Sequence, residues 1–404
     1  MSDRFIRSQT AVDPPVKDFD YLAEAQIYLD SACQTLRPQQ TIIAMDRYYH
    51  EYNACGDRVK YEWGRKVDEE IQNTREHLLN FIGKSKREYA CAFTLNTTYG
   101  INLLLSQLAE NTFERIITST MEHNSVFLPS ITYAKKLGLG RSVLPRQPDG
   151  SLDYEATQLS KSIVLVNTTS NIDGSILTNA TALASDTHRA GGIVILDAAQ
   201  TVGHHPELIK HVDFDAVCFS GHKMYGPSIG VIIVKKTLLE KLDPSFIGGG
   251  TVQDVQRDTY TLLPDEPASR LEPGLQNFAG IIGLGAAIGW LAKHRPEGKM
   301  PKDYVQALAQ NLYDGITRIP HVTLFNKAPS SIVSFYSDKI DAHKLSIYLS
   351  AQGIMVRSGY FCCHYYLDAL SHLPPLVRLS LGLNNTQRQV ESTIRILERI
   401  IREQ

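Results

Sequence analysis

From Tyr89 to Val234 short strand-like runs alternate with segments of helix length, and this rhythm restricts the possible folds more than any other feature of the chain. The runs are Tyr89 to Thr94, Arg115 to Ser119, Ser162 to Asn167, Gly192 to Leu196, Asp215 to Phe219 and Ile229 to Val234. Strands separated by helices close into crossover units, so the expectation is an α/β fold with a mainly parallel sheet covered by helices on both faces. In such a sheet a ligand lies beyond the carboxyl ends of the strands.

With 404 residues the chain can bury a large core and divide into two unequal lobes. Residues 1–27 are polar, carry Pro14-Pro15, and read as an arm packing with the smaller lobe. Residues 28–298 read as the large domain, with amphipathic helices expected at Gln39 to Tyr52 and Val67 to Phe81, a helix at Ile101 to Leu108, and a buried helix at Phe278 to Leu291. After Gly298 the texture changes, and residues 299–404 read as a small α+β domain ending in a helix whose stripe is Val390, Ile394, Leu397 and Ile401.

Lys223 sits in the turn Ser220-Gly221-His222-Lys223-Met224-Tyr225-Gly226-Pro227, directly after the run Ala216-Val217-Cys218-Phe219. A rigid strand end suits a lysine that must reach a ligand, and Lys223 reads as a Schiff-base lysine. Upstream, the strand Gly192 to Leu196 ends in Asp197-Ala198-Ala199-Gln200. A carboxylate at a buried strand end requires a cation, and in a pyridoxal phosphate site that cation is the protonated ring nitrogen. Asp197 fits that role, with Gln200 placed for the ring hydroxyl.

Together with Tyr28-Leu29-Asp30, Asn96-Thr97-Thr98, Glu122-His123-Asn124, Arg357-Ser358-Gly359-Tyr360-Phe361-Cys362 and Arg378-Leu379-Ser380, these stretches make the chain resemble the class V (fold type I) pyridoxal phosphate-dependent aminotransferase superfamily, in its cysteine desulfurase and selenocysteine lyase-like branch. The likeness runs in family order from about residue 28 to about residue 390. It implies a phosphate held by Thr97, Thr98, Ser220 and His222, an imidazole at His123 that stacks on the ring and takes part in proton transfer, and Asn171 near the ring hydroxyl and substrate. It also implies a homodimer in which the loops Phe246 to Thr251 and Arg270 to Gly274 reach toward the partner's cofactor. Where the family commonly has a threonine donor after Gly274, this chain has Leu275.

Substrate chemistry falls to the smaller lobe. Arg378 is a charge inside the strand pattern Leu376 to Leu381, a position that calls for an anion: an amino acid's α-carboxylate, which a guanidinium grips with two parallel bonds, or a structural Asp or Glu. Arg357 lies nearby in sequence with Cys362, Cys363 and His364, surroundings that favour a thiolate. By the resemblance, Cys362 is the persulfide-forming cysteine. Cys363 and His364 replace the residues usual after it, and Cys363 reads equally as a resolving thiol, a spare or a filler. The implied activity is conversion of L-cysteine to L-alanine, with the sulfur passed to an acceptor. Two rival readings stay open: another class V enzyme (a carbon–sulfur lyase, selenocysteine lyase, epimerase or aminotransferase) in which Cys362 is incidental, or a cofactor-free scaffold.

The totals exclude other classes. A formal charge of −2 leaves no electrostatic footprint for nucleic acid or an anionic membrane. Apolar runs stay below the roughly 18 residues of a membrane span and the start lacks a signal-type core, so a cytoplasmic protein is expected. Six scattered cysteines without a CxxC pair point to reduced thiols and against a zinc or iron–sulfur site. Cys91 and Cys218, inside apolar runs, read as inert core thiols.

Overall fold

The alternating segment folds into one seven-stranded sheet. The computed structural model describes residues 17–23, 25–56, 59–109, 111–263 and 267–404. Their contacts divide the chain into two units, Arg37–Ser170 with Ile176–Lys293, and Met1–Leu36 with Asn171–Ser175 and His294–Gln404.

In the larger unit the strands are β1 (Tyr89–Thr94), β2 (Arg115–Ser119), β3 (Gly140–Leu144), β4 (Ser162–Asn167), β5 (Ile193–Asp197), β6 (Ala216–Ser220) and β7 (Gly230–Lys235), in the order β1-β7-β6-β5-β4-β2-β3. Only β7 runs against its neighbours, β1 and β6; the other pairs are parallel. The flanking helices are α1 (Gln39–Glu51), α2 (Glu62–Phe81), α3 (Thr97–Ser106), α4 (Asn124–Lys136), α5 (Ala180–Arg189) and α6 (Phe278–Lys293). Every residue of β4 and of β6 is buried, which requires a covering layer on each face. One face packs Ala92, Leu165, Cys218 and Ile232 against Ile101 and Leu104 of α3 and Val126 of α4. Burial pushes the Cys91 thiol up to about 12 and Cys218 well above its ordinary value, so both stay protonated fillers.

Differences from the sequence reading have local causes. Helix α2 begins at Glu62 rather than Val67 because its first turn is largely exposed and carries no apolar stripe. Helix α3 begins at Thr97 rather than Ile101, the Asn96 side chain accepting a bond from Tyr99 N at 2.9 Å as its cap. Edge strand β3 was not expected; apart from Leu144 it is not buried, so it shows no apolar run.

The smaller unit holds a four-stranded antiparallel sheet of β8 (Val322–Leu324), β9 (Ile332–Ser337), β10 (Arg357–Gly359) and β11 (Leu376–Ser380), in the order β8-β9-β11-β10. Its helices are α7 (Pro301–Thr317), α8 (Ala342–Ala351) and α9 (Gln387–Arg402). Residues 28–36, assigned from sequence to the large domain, group with this unit instead. Leu29 N bonds Met355 O at 2.9 Å and Ser31 N bonds Ser380 O at 3.3 Å, so the segment joins its strand network. Of the arm expected over 1–27, residues 1–16 and 24 lie outside the described residues. Among the described residues no helix is long and apolar enough to cross a membrane.

The loop after residue 270 is anchored by charge. Glu272 accepts two bonds from Arg75, at 2.8 and 2.6 Å, and the Arg75 guanidinium lies 4.7 Å from the Phe93 ring centroid. With both side chains largely buried, Arg75→Ala would leave the carboxylate unpaired, and we expect a loss of about 3–5 kcal/mol, read as a lower urea midpoint. A loss below about 1 kcal/mol would show that the pair behaves as an exposed bridge.

Candidate active site

The parallel strands of the larger unit deliver their polar residues to one edge of the sheet. Asn167 is paired with Asp197, and Asp197 with Cys218, two residues before the end of β6. Beyond Ser220 the chain makes one 3₁₀ turn, Gly221–Lys223, closed by Met224 N and Gly226 N on Gly221 O, each at 2.9 Å. A Cβ on Gly221 would stand 2.7 Å from Pro227 O, so only glycine permits this turn. Lys223, at its end, is partly buried.

Asp197 is 4% exposed. Its oxygens accept from Ala199 N at 2.9 Å and from Ser125 Oγ at 3.1 Å, both neutral donors. Burial raises its pKa, and the charge of Lys223 pulls it back. A buried carboxylate held by neutral donors calls for a proton or a cation. The protonated ring nitrogen of pyridoxal phosphate meets that need, so the cofactor implied by the sequence fits this position.

Thr97 N donates to Ser220 Oγ at 2.9 Å, and the two hydroxyl oxygens are 2.6 Å apart. Thr98 is exposed in the first turn of α3, where free N–H groups and the helix dipole favour an anion. Burial, with the charges of Lys223 and Arg37, lowers His222 to about 4, so it stays a neutral imidazole able to donate one N–H. Gln200 is buried in the turn after β5.

His123 caps α4, its Nδ1 accepting from Ser125 N at 3.0 Å. Ser125 Oγ lies 2.7 Å from that nitrogen and 3.1 Å from Asp197, linking imidazole to carboxylate. Beside them Glu122, 1% exposed, accepts from Ser119 Oγ at 2.6 Å and from Asn167 N and Nδ2 at 2.8 Å. Sequence reasoning passed over Glu122, Ser125 and Asn167 as site residues; the available signal was a carboxylate immediately before His123 at a strand end.

In the smaller unit, antiparallel register sets Arg357 opposite Arg378. Like charges so placed repel, and Asp30 answers both: it accepts from Arg357 Nη2 at 2.8 Å and from Arg378 Nη2 at 3.2 Å. Asp30 was not expected in this role. Arg378 is 3% exposed, gives Nη1 to Asn171 O at 2.9 Å, and leaves Nε buried with no partner among the described residues. That orphan donor suits a carboxylate ligand. Arg357, by contrast, is exposed and bonds Cys33 Sγ at 2.9 Å.

The cysteine loop differs from its sequence reading. Cys362 is exposed, whereas Cys363 is buried and donates Sγ–H to Asn171 Oδ1 at 3.1 Å. Arg357 turns to Asp30 and Cys33, and His364 packs edge-on to Tyr360 at 5.7 Å. Asn171, expected at the ring hydroxyl, has its Nδ2 on Phe361 O at 2.8 Å.

The family profile described as Aminotransferase class-V matches residues 27–392. A cysteine desulfurase of Serratia proteamaculans (strain 568) is 31% identical over 383 residues, 92% of this chain and 93% of that protein. One from Salmonella gallinarum is 32% identical over 386 residues, 93% of each. Among solved structures, the apo cysteine desulfurase of Thermococcus onnurineus NA1 matches with a TM-score of 0.85 at 29% identity, over 94% of this chain and 95% of that one. The Escherichia coli cysteine desulfurase CsdA, in an S-sulfonic acid form, matches with a TM-score of 0.85 at 26% identity, over 96% and 97%.

Burial pushes Glu122 up to about 7 from an ordinary 4.5, with Arg146 and its hydrogen bonds resisting. Between those limits the folded chain holds a proton that the unfolded chain has released, so stability falls as pH rises through the window. We expect the unfolding free energy to drop from about pH 5 to about pH 7.5 by an amount that Glu122→Gln abolishes. Parallel pH profiles for the two proteins would contradict a proton-retaining Glu122.

Proposed function

The chain belongs to the class-V aminotransferases, and we propose that within them it is a pyridoxal phosphate-dependent cysteine desulfurase, releasing L-alanine and capturing sulfur as a persulfide on Cys362. The observation that carries this reading is the exposed Cys362 thiol on a turn in which Phe361 and Cys362 both take left-handed backbone, at φ 49° and 58°. Conformations of that kind persist where surrounding structure enforces them, and they concentrate at functional sites.

Bound at Asp197 and Lys223, pyridoxal phosphate supplies the electron sink that makes an amino acid's α-proton removable. The chain's own residues do the rest. Thr97, Thr98, Ser220 and His222 would hold the phosphate. Asp197 would hold the ring nitrogen, with His123 as the residue for the ring and Gln200 for its hydroxyl. Asn171 keeps one N–H and one lone pair beyond its bonds to the cysteine loop. Arg378 receives the substrate carboxylate through Nε, with Arg357 as a more exposed second cation. Lys223 takes the α-proton. Cys362 thiolate then attacks the substrate sulfur: an S–S bond forms, the carbon–sulfur bond breaks, its electron pair stays with the β-carbon, a proton is added there, and Lys223 returns a proton to the α-carbon to complete alanine. An acceptor thiol collects the sulfur.

A homodimer is part of this reading. Leu95, Leu128, Phe246 and Leu275, all in the larger unit, are between 52% and 77% exposed, large apolar side chains of the kind that a partner would cover. Leu275 cannot donate to a phosphate, so we assign it to that apolar contact. A cytoplasmic setting suits chemistry that needs a reduced thiol.

The product made from L-cysteine by the purified, cofactor-loaded protein tests the proposal. We expect alanine, a persulfide mapped to Cys362, and more than about 100-fold loss of sulfur release in Cys362→Ser. Pyruvate with unchanged turnover of that variant would identify a lyase, and failure to take up the cofactor would identify a scaffold.

A further inference from the structure

Cys362 sits between two neighbours that share one anchor. Phe361 O accepts from Asn171 Nδ2 at 2.8 Å, and Cys363 Sγ donates to Asn171 Oδ1 at 3.1 Å. Asn171 is itself fixed through its own carbonyl, which accepts from Arg378 Nη1 at 2.9 Å. The Arg378 guanidinium also covers the Phe361 ring at 4.8 Å. Cys363 N closes the turn on Tyr360 O at 2.8 Å, and Cys363 O accepts from Leu367 N at 3.1 Å. Two consecutive left-handed residues without a glycine are disfavoured by contact between each Cβ and the following carbonyl, so an unsupported turn would relax.

We propose that Cys363 and Asn171 are positioning residues, a clasp whose thiol-to-amide bond on one side of Cys362 and amide-to-carbonyl bond on the other hold that thiol outward in the strained turn. Cys363 is neither a resolving thiol nor filler. It is fully buried and donates Sγ–H to Asn171 Oδ1. A donor of small volume is what the position requires, which serine supplies and alanine does not. The consequence for turnover rests on Cys362 being the sulfur-accepting thiol; the consequence for the loop does not.

The test compares Cys363→Ala and Cys363→Ser in the cofactor-loaded protein. In the alanine variant we expect kcat for cysteine to fall about fivefold to tenfold with KM changed less than about twofold, because the bond orders the attacking group rather than binding substrate. Amide exchange over residues 359–364, followed without substrate, should rise by a similar factor while that of α9 stays unchanged. The serine variant should lie within about twofold of the parent in both measurements. An alanine variant indistinguishable from the parent would overturn the clasp. So would a serine variant as impaired as alanine, since side-chain volume would then be what matters. If the parent makes no alanine, the desulfurase reading fails, and the exchange measurement still decides the clasp.

Discussion

A carboxylate sealed in protein with neutral partners is the constraint from which the larger unit's polar edge follows. Asp197 closes β5, at the centre of a sheet buried on both faces, and is nearly inaccessible. Left ionised and alone it would cost several kcal/mol. The surrounding structure lessens that cost without removing it: a backbone N–H, a serine hydroxyl and the charge of Lys223. The deficit that remains favours a proton or a cation beside the carboxylate, a need that a protonated ring nitrogen would meet. A fold without such a ligand would gain by replacing Asp197 with an amide.

The smaller unit applies the same logic with opposite sign. Strand register sets Arg357 opposite Arg378, and Asp30 bonds both guanidiniums. The arrangement leaves Arg378 Nε buried and pointing nowhere among the described residues. Burial pushes that guanidinium's pKa down while Asp30 pulls it back up, so its charge persists in a dry setting where an anion binds strongly. A single Asn171 then connects Arg378 to the cysteine turn.

Which parts were legible in the sequence depends on whether the physics is local. The parallel sheet could be read because its strands other than β3 are short apolar runs, and Asp197 and Lys223 because a charge at the end of such a run is conspicuous. Edge strand β3 and the first turns of α2 and α3 escaped, since exposed or polar turns carry no periodicity. The placement of residues 28–36 and 171–175 in the smaller unit escaped for another reason: it rests on bonds between residues far apart in sequence, such as Leu29 with Met355 and Asn171 with Arg378. The role of Cys363 was open in the sequence for the same reason, its acceptor lying 192 positions away.

The central claim is that Lys223 carries the cofactor while Asp197 holds its ring nitrogen. Borohydride reduction of the pyridoxal phosphate-loaded protein, followed by peptide mapping, tests it directly. The account requires the reduced ring on Lys223, with Asp197→Asn retaining the attachment but losing turnover. A ring found on another side chain, or none attached, would contradict it.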